Sequence, residues 1–278
     1  MFIEYFILYL QPLYPMNVLK FLILHGLIFC LAFTPSVSYG ENPEEKGLRI
    51  MSAMELRDDG WVGLTADVDM VFGEQKDADY KFHIRLFEKP DDGYKGVIIY
   101  DYPSDMKGVV SMVHLHREAP SDMWIFLPKQ KRVKRFSSQK KNSSFLGSPF
   151  TSEDLNRGEI ERYTYRWVRD ETYEGLPCSV VDRFPVEDNS GYKKERFWID
   201  QTEQRNLKIE YYNTEDVHIK TQYFKNYTKY LDYFWREGER TMVDEITNQS
   251  ATFLFKNWEL KIKLNESDFV PARLRKLR

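Results

Sequence analysis

Cysteine is almost absent from this chain of 278 residues, which contains only two. Cys30 lies in an apolar run near the N-terminus, so a protein processed after that run would retain Cys178 alone. A single thiol cannot form an internal disulfide, and stability must therefore come from an apolar core. Cys178 follows Pro177 and precedes Val180 and Val181. This context indicates a small buried side chain rather than a nucleophile.

An excess of charge of either sign is also missing. Lysine and arginine number 40 against 43 aspartates and glutamates, which gives a net charge of −3. Nucleic-acid-binding domains are normally strongly basic, so the composition argues against a nucleic-acid partner. Charged residues make up 30% and aromatic residues 15% of the chain. That mixture suits strands with one apolar and one charged face, and it is not typical of a disordered chain.

The common catalytic motifs are lacking as well. The sequence has no Walker-type glycine loop, no GxGxxG, no GxSxG and no HExxH. Asp67 and Asp69 share one strand face, which a solvated sheet surface explains. His114 and His116 project to the same face of a strand and could hold two metal ligands, but no third ligand of matching spacing stands nearby. We therefore predict no enzyme activity, no catalytic residue, no metal and no cofactor.

The N-terminal 40 residues have the pattern of a secretory signal peptide. Met16 is an alternative start, and Lys20 supplies the positive charge before the apolar run of residues 21–33. Ser38 and Gly40 are the small residues of a cleavage site. We interpret residues 1–40 as a signal peptide cleaved before Glu41, and residues 41–278 as a single domain. A membrane anchor is the alternative, because the apolar run is longer than a minimal signal core.

Beyond Gly60 the hydrophobic period is two, which is typical of strands. Val68, Met70 and Phe72, for example, alternate with acidic residues. We count about eleven or twelve sequential strands joined by short turns, with no linker between them. Such a meander curls into an open or closed barrel.

Helical spacing is confined to three short segments. Residues 47–59 predict an amphipathic helix that ends at Gly60, and the last thirteen residues predict a final helical turn. A third helix is expected to begin near Thr151 or Ser152, with Ser152 as its N-cap. It lies in the aperiodic segment 137–159, which we interpret as a long loop.

A basic stretch precedes that loop. Its cations are Lys129, Lys131, Arg132, Lys134, Arg135, Lys140 and Lys141. One interpretation is a hairpin with a solvated charged face. The other is a patch at the mouth of a groove that binds lipid phosphate or an acidic partner surface.

Two motifs around this stretch resemble a known family. The first is Leu-Pro-x-x-x-Arg-x-x-Arg, at residues 127–135, and the second is Ser-Phe-x-Gly-Ser-x-Phe, at residues 144–150, followed by Glu153-Asp154-Leu155. Together with "FWIDQTEQRNLKIEYYN" and "FKNWELKIKLNESDFVPARL", they resemble the bacterial outer-membrane lipoprotein-sorting proteins, a LolA-like family. The similarity extends from about Leu48 to Leu274.

This resemblance implies a mainly β fold: an unclosed antiparallel barrel of about eleven strands with a few short helices as a lid. It also implies a periplasmic carrier that shuttles lipoprotein or other lipid acyl chains to or from the outer membrane. Such a protein would be a monomer with peripheral or transient membrane contact. The alternative is a periplasmic adaptor that docks on an RND-type exporter without lipid cargo.

Site residues follow from the same resemblance. The expected lipid groove comprises Phe72, Phe82, Leu86, Trp124, Phe126, Phe145, Leu146 and Phe150. The expected basic rim, or partner-docking surface, comprises Arg85, Lys131, Arg132, Lys134 and Arg135. The classical carrier has a single arginine that ties the lid to the barrel. This family diverges from the classical carrier at that point, and Arg85 on an early strand is the candidate for the role here.

Overall fold

The computed structural model describes residues 41–117, 119–137, 143–155 and 159–277. The predicted signal peptide, residues 1–40, lies outside the described residues, as do Lys140 and Lys141 of the basic stretch. Within the described ranges, no helix combines the length and apolarity needed to cross a bilayer.

The described residues form fifteen strands. In chain order these are β1 (Gly63–Phe72), β2 (Tyr80–Lys89), β3 (Gly93–Tyr102), β4 (Val110–Leu115), β5 (Asp122–Leu127), β6 (Arg132–Ser137), β7 (Tyr163–Tyr173), β8 (Leu176–Pro185), β9 (Lys194–Asp200), β10 (Asn206–Tyr212), β11 (His218–Lys225), β12 (Thr228–Tyr230), β13 (Phe234–Arg236), β14 (Glu239–Asp244) and β15 (Ser250–Leu260).

Thirteen of these strands form one antiparallel sheet in the order β6-β5-β4-β3-β2-β1-β15-β14-β11-β10-β9-β8-β7, and β12 pairs with β13 in a separate hairpin. The first and last strands of the chain, β1 and β15, are neighbours and join the two halves of the sheet. Among the residues that the structure describes, the edge strands β6 and β7 do not pair with each other. The expected unclosed barrel is therefore confirmed.

The strand count exceeds the expected eleven or twelve, and two of the additional strands lie between β11 and β14. The alternation along residues 218–230 predicts one strand, but the chain turns at Asn226, which has a φ of 56°, so that β11 and β12 are separate. Strand β13 has only three residues, too few for a period to appear in the sequence.

Helix α1 (Pro43–Asp58) begins four residues before the predicted start. Its N-cap is Asn42, whose side chain accepts a hydrogen bond from the Glu45 amide at 2.7 Å. The helix packs closely on β7, because a Cβ at Gly47 would lie 2.7 Å from the Trp167 amide nitrogen. Met51 is buried at this contact. Helix α1 therefore covers part of the sheet.

The other helical segments are shorter. Helix α2 (Ser152–Leu155) is one turn, and 3-10 turns are formed by Pro128–Gln130, Ile160–Arg162, Glu266–Asp268 and Pro271–Lys276. The N-cap of α2 is Thr151 rather than the expected Ser152. Thr151 Oγ1 accepts from the Asp154 amide at 3.4 Å, and the Asp154 carboxylate accepts from the Thr151 amide at 2.6 Å. This reciprocal pair is a capping box.

The two faces of the sheet carry separate apolar clusters. The inner face, toward α1, holds the main cluster, which includes Val68, Phe82 and Phe253. The outer face of β3–β5 holds a smaller cluster, on which the C-terminal tail packs through Phe269 and Leu274. The inner face is the one that borders a cavity.

Candidate functional site

A cavity of about 480 Å³ lies on the inner face of the sheet. Helix α1, helix α2 and strands from both halves of the sheet contribute to its wall. Sites for small molecules typically have volumes of about 300–1,000 Å³ and mostly apolar walls. The cavity is therefore large enough to hold a ligand, and its lining decides which kind.

Three aromatic rings lie together in the apolar part of the wall. Phe82 lies 6.2 Å from Phe145 and 6.1 Å from Phe253, and the latter two are 6.0 Å apart, all with edge-to-face ring planes. Such contacts stabilise aromatic clusters beyond their burial alone. The cluster joins β2, β15 and the long loop, so the loop is part of the cavity wall.

The long loop reaches the interior because it folds as a tight hairpin. The Phe145 amide donates to the Phe150 carbonyl at 2.7 Å, and Ser144 Oγ donates to the Ser148 carbonyl at 2.8 Å. Gly147 has a φ of 79°, a left-handed conformation that glycine adopts without strain. Phe150 is fully buried and stacks on Phe253 with 4.4 Å between ring centroids. The Ser-Phe-x-Gly-Ser-x-Phe motif thus inserts two rings into the core.

Two acidic residues of α2 fix the end of this loop to the sheet. Glu153 accepts from Ser190 Oγ at 2.6 Å and from the Gly191 amide at 3.0 Å. Asp154 accepts from the Tyr192 hydroxyl at 2.6 Å and from Lys220 Nζ at 3.2 Å. All four groups are at least partly buried, and the loop is held by buried hydrogen bonds rather than by surface contacts.

Charged pairs also line the cavity. Arg183 of β8 pairs with Glu195 of β9, and its guanidinium lies over the rings of Tyr163 and Phe197 at 4.1 and 4.6 Å. Burial raises the pKa of Glu195, while the neighbouring Arg183 acts in the opposite direction. A charged pair inside an apolar cavity is unusual, because burial disfavours both ions unless they stay paired.

A second group of charges lies where the C-terminal end of α1 meets β13 and β14. Arg236 donates to the Asp58 carboxylate, and Arg240 donates to that of Glu237. Although burial opposes it, Arg240 lowers the pKa of Glu237. Arg57 lies 4.0 Å from Glu203. We call this charged part of the cavity lining, with Arg57, Arg236 and Arg240, the polar end; it contrasts with the apolar aromatic cluster.

The structure brings together only part of the predicted groove. Phe82, Leu86 and Phe145 line the cavity. Phe72, Leu146 and Phe150 pack in the apolar cluster around it, and the role of these six residues in lipid binding stays a prediction.

Trp124 and Phe126 lie on the outer face and do not line the cavity. They belong to the cluster that the C-terminal tail covers. The strand register explains why these two side chains point outward. Ser111 lines the cavity and pairs with Ile125, so Ile125 points inward and its neighbours Trp124 and Phe126 point to the opposite face. Their placement in the groove is corrected.

The predicted basic rim is not at the cavity. Lys131, Arg132, Lys134 and Arg135 are exposed on or beside the edge strand β6, and Arg135 pairs with Asp122. Arg85 points to the outer face of β2, since its neighbour Ile84 points inward. The arginine that contacts helix α1 at its C-terminal end is Arg236, which sequence reasoning did not identify.

Both strand histidines have structural partners. His114 Nε2 donates to the Phe269 carbonyl at 2.8 Å, and His116 Nδ1 lies 2.8 Å from an Asp92 carboxylate oxygen. Across the described ranges, no group of three or more potential ligands is placed to hold a metal ion.

Sequence and structure comparisons give consistent matches. A family model described as an uncharacterized protein matches residues 92–276. An outer membrane lipoprotein-sorting protein domain, so described, from Vibrio parahaemolyticus is 35% identical, with a TM-score of 0.79 over 84% of this chain and 99% of that one. No curated protein sequence matches the chain.

Two more distant structures share the fold. A DUF1329 family protein from Desulfovibrio piger is 22% identical, with a TM-score of 0.77 over 84% of this chain and 99% of that one. A LolA superfamily protein from Nitrosomonas europaea is 17% identical, with a TM-score of 0.63 over 81% and 98% of the two chains.

Proposed function

The chain belongs to the LolA-like family of outer-membrane lipoprotein-sorting proteins, and from this membership we propose that it is a periplasmic carrier of acyl chains. In this proposal residues 1–40 direct export and are removed, and residues 41–278 act as one domain. The cargo is a lipoprotein or another lipid, which moves to or from the outer membrane. The reaction requires binding and release and no catalytic group.

The observation that carries the proposal is the apolar cavity on the inner face of an open sheet. Burial of an acyl chain contributes about 0.8 kcal/mol per methylene. Ten buried methylenes would contribute about 8 kcal/mol before the cost of ordering the ligand. This contribution is offset in part by that cost, and the aromatic cluster of Phe82, Phe145 and Phe253 supplies contact surface for the chain.

Native mass spectrometry of the protein purified from the periplasm tests the proposal. We expect co-purifying lipid, together with uptake of a fluorescent acyl probe. Val113 lines the cavity, so Val113→Trp should reduce probe uptake by filling it. The matched control is Val217→Trp, at a position that is 46% exposed. A protein free of lipid that takes up no acyl probe would contradict the carrier function.

Docking on a membrane exporter is the second candidate, favoured by strand β6. This strand ends the sheet, and Arg132 and Lys134 are exposed on it. An edge strand with exposed cations suits an acidic protein surface on the partner. The variant Arg132→Glu/Lys134→Glu should then abolish capture of the exporter and leave lipid uptake intact. Unchanged capture by this variant would exclude docking through β6.

A further inference from the structure

Buried polar atoms without partners are concentrated among the residues that line the cavity. Five buried side-chain nitrogen or oxygen atoms have no hydrogen-bond partner among the described residues. Four of them belong to residues that line the cavity: Arg57 Nη1, Asn206 Oδ1, Gln222 Nε2 and Arg240 Nε. Folded proteins rarely leave buried polar atoms unpaired, because each loses its hydrogen bonds to water. Their shared location indicates a polar group on the ligand.

Gln222 is the clearest of the four. It is 1% exposed and projects inward from β11, between Ile209 of β10 and Met242 of β14. The Tyr211 hydroxyl donates to its Oε1, which orients the amide and leaves Nε2 as a buried donor without a partner among the described residues.

Arg240 stands next to Gln222 on the sheet. Strand β14 pairs Met242 with Gln222 and Arg240 with Phe224, so Arg240 is the diagonal neighbour of Gln222 on the same face. Diagonal neighbours lie about 7–8 Å apart, within reach of a long side chain. The ion pair with Glu237 fixes the Arg240 guanidinium and leaves Nε without a partner.

Arg57 and Asn206 complete the polar end. Arg57 lies over the Tyr233 ring at 3.8 Å, and Asn206 begins β10, where its carbonyl accepts from the Tyr227 hydroxyl at 2.6 Å. The cavity is therefore amphipathic. Its lining contains the rings of Phe82, Phe145 and Phe253 and also residues with three unpaired donors and one unpaired acceptor. The two kinds of group adjoin each other, because Arg240 pairs with Phe253 across β14 and β15.

Charge decides which polar group fits. Each arginine of the lining has a carboxylate oxygen within 4.0 Å, in the pairs Arg57–Glu203, Arg183–Glu195, Arg205–Asp200, Arg236–Asp58 and Arg240–Glu237. These carboxylates neutralise the arginines and would repel a carboxylate or phosphate on the ligand. An uncharged acceptor can use the remaining N–H donors without that repulsion.

We propose that the polar end of the cavity binds the carbonyl oxygens of an ester- or amide-linked acyl chain and directs the chain toward the aromatic cluster. This inference rests on the proposed carrier function and names the chemistry of its cargo. Gln222 and Arg240 are the specificity-determining residues, because they donate to the linkage rather than to the hydrocarbon.

Three fluorescent probes with the same alkyl chain test this inference. The chains end in a methyl ester, a methyl group or a carboxylate, and their dissociation constants are measured with the full protein. We expect the ester to bind about tenfold more tightly than the hydrocarbon, which corresponds to one hydrogen bond. The carboxylate should bind less tightly than the ester.

The variant Gln222→Met and the double variant Arg240→Met/Glu237→Gln, which leaves no unpaired buried carboxylate, should each remove most of the ester preference and leave hydrocarbon binding close to that of the unmodified protein. Retained hydrocarbon binding also shows that a variant is folded. Gln249→Met, at an exposed position, is the matched control and should keep the preference. Equal binding of ester and hydrocarbon by the unmodified protein would overturn the inference but leave the carrier function standing. Failure to bind any of the probes would overturn both.

Discussion

Lys220 and Asp154 form an ion pair in the interior, with Nζ 3.2 Å from Oδ2. The Asp154 side chain is 0% exposed and that of Lys220 is 10% exposed. The pair joins strand β11 to helix α2, at the end of the loop that inserts Phe145 into the cavity wall. The position of the loop therefore depends on a buried charge pair.

Removal of one partner should be strongly destabilising. Asp154→Leu leaves the Lys220 ammonium buried without its counter-ion, which we expect to reduce the free energy of unfolding by about 3–5 kcal/mol. Urea denaturation measures the change. The double variant Asp154→Leu/Lys220→Met should recover part of the loss, because no unpaired charge remains.

An exposed ion pair provides the control for this prediction. Lys256 Nζ lies 2.7 Å from Asp69 Oδ2, and the lysine side chain is 56% exposed. Lys256→Met should change the free energy of unfolding by at most about 1 kcal/mol. Equal effects at the two pairs would show that burial does not decide their contribution.

Arg236 should stabilise the last turns of helix α1 against local unfolding. Its side chain is 8% exposed and donates to Asp58 and to the Trp235 carbonyl. Arg236→Met removes the contact between β13 and the helix, so amide hydrogen exchange in the last turns of α1 should become faster. Arg85→Met, on the outer face, should leave exchange in α1 unchanged, and the opposite result would restore Arg85 as the tie between lid and barrel.

Phe150 should be one of the most destabilising sites for truncation. The ring is 0% exposed and stacks on Phe253, so Phe150→Ala leaves a cavity and should cost about 3–5 kcal/mol of unfolding free energy. Phe136 is 42% exposed on the edge strand β6. Phe136→Ala should stay within about 0.5 kcal/mol in the same denaturation experiment. Similar losses would mean that the loop ring is not part of the core.

His114 predicts a pH dependence of stability. Burial lowers the pKa of His114 below its usual value, although the hydrogen bond to the Phe269 carbonyl opposes this shift. The unfolded chain therefore binds a proton at a higher pH than the folded protein does. The stabilisation is complete above about pH 6.5 and is lost as the pH falls through the folded-state pKa.

The variant His114→Gln isolates this effect. The difference in unfolding free energy between the unmodified protein and the variant should decrease from about pH 7.5 to about pH 5. Urea denaturation at several pH values measures it. A difference that is constant or grows toward low pH would contradict the lowered pKa.

Local patterns predicted the strands well. Val68, Met70 and Phe72 share the inner face as expected, because alternation is a property of the backbone and needs no information from elsewhere. The Ser-Phe-x-Gly-Ser-x-Phe motif lies in the long loop that the sequence indicated, and its glycine and two rings belong to one hairpin.

Non-local packing limited the prediction of the site. Trp124 alternates as regularly as Phe82, but its face is covered by the C-terminal tail, whose binding to β3–β5 no local pattern shows. Gln222 and Arg236 are polar residues in the second half of the chain. Alternation along β11 indicates that Gln222 shares a face with Phe224, but its burial depends on helix and loop contacts distant in sequence.

The separation of β6 from β7 has a consequence for the range of ligand sizes that the proposed carrier could hold. A closed barrel has a fixed circumference, since every strand bonds to two neighbours and strand number and shear set the radius. Along the part of the chain that the structure describes, this sheet has two ends, and small changes in strand twist can widen it while every ladder of hydrogen bonds stays intact. For the proposed carrier we therefore expect a thicker ligand to widen the open sheet, with strain confined to helix α1 and the long loop.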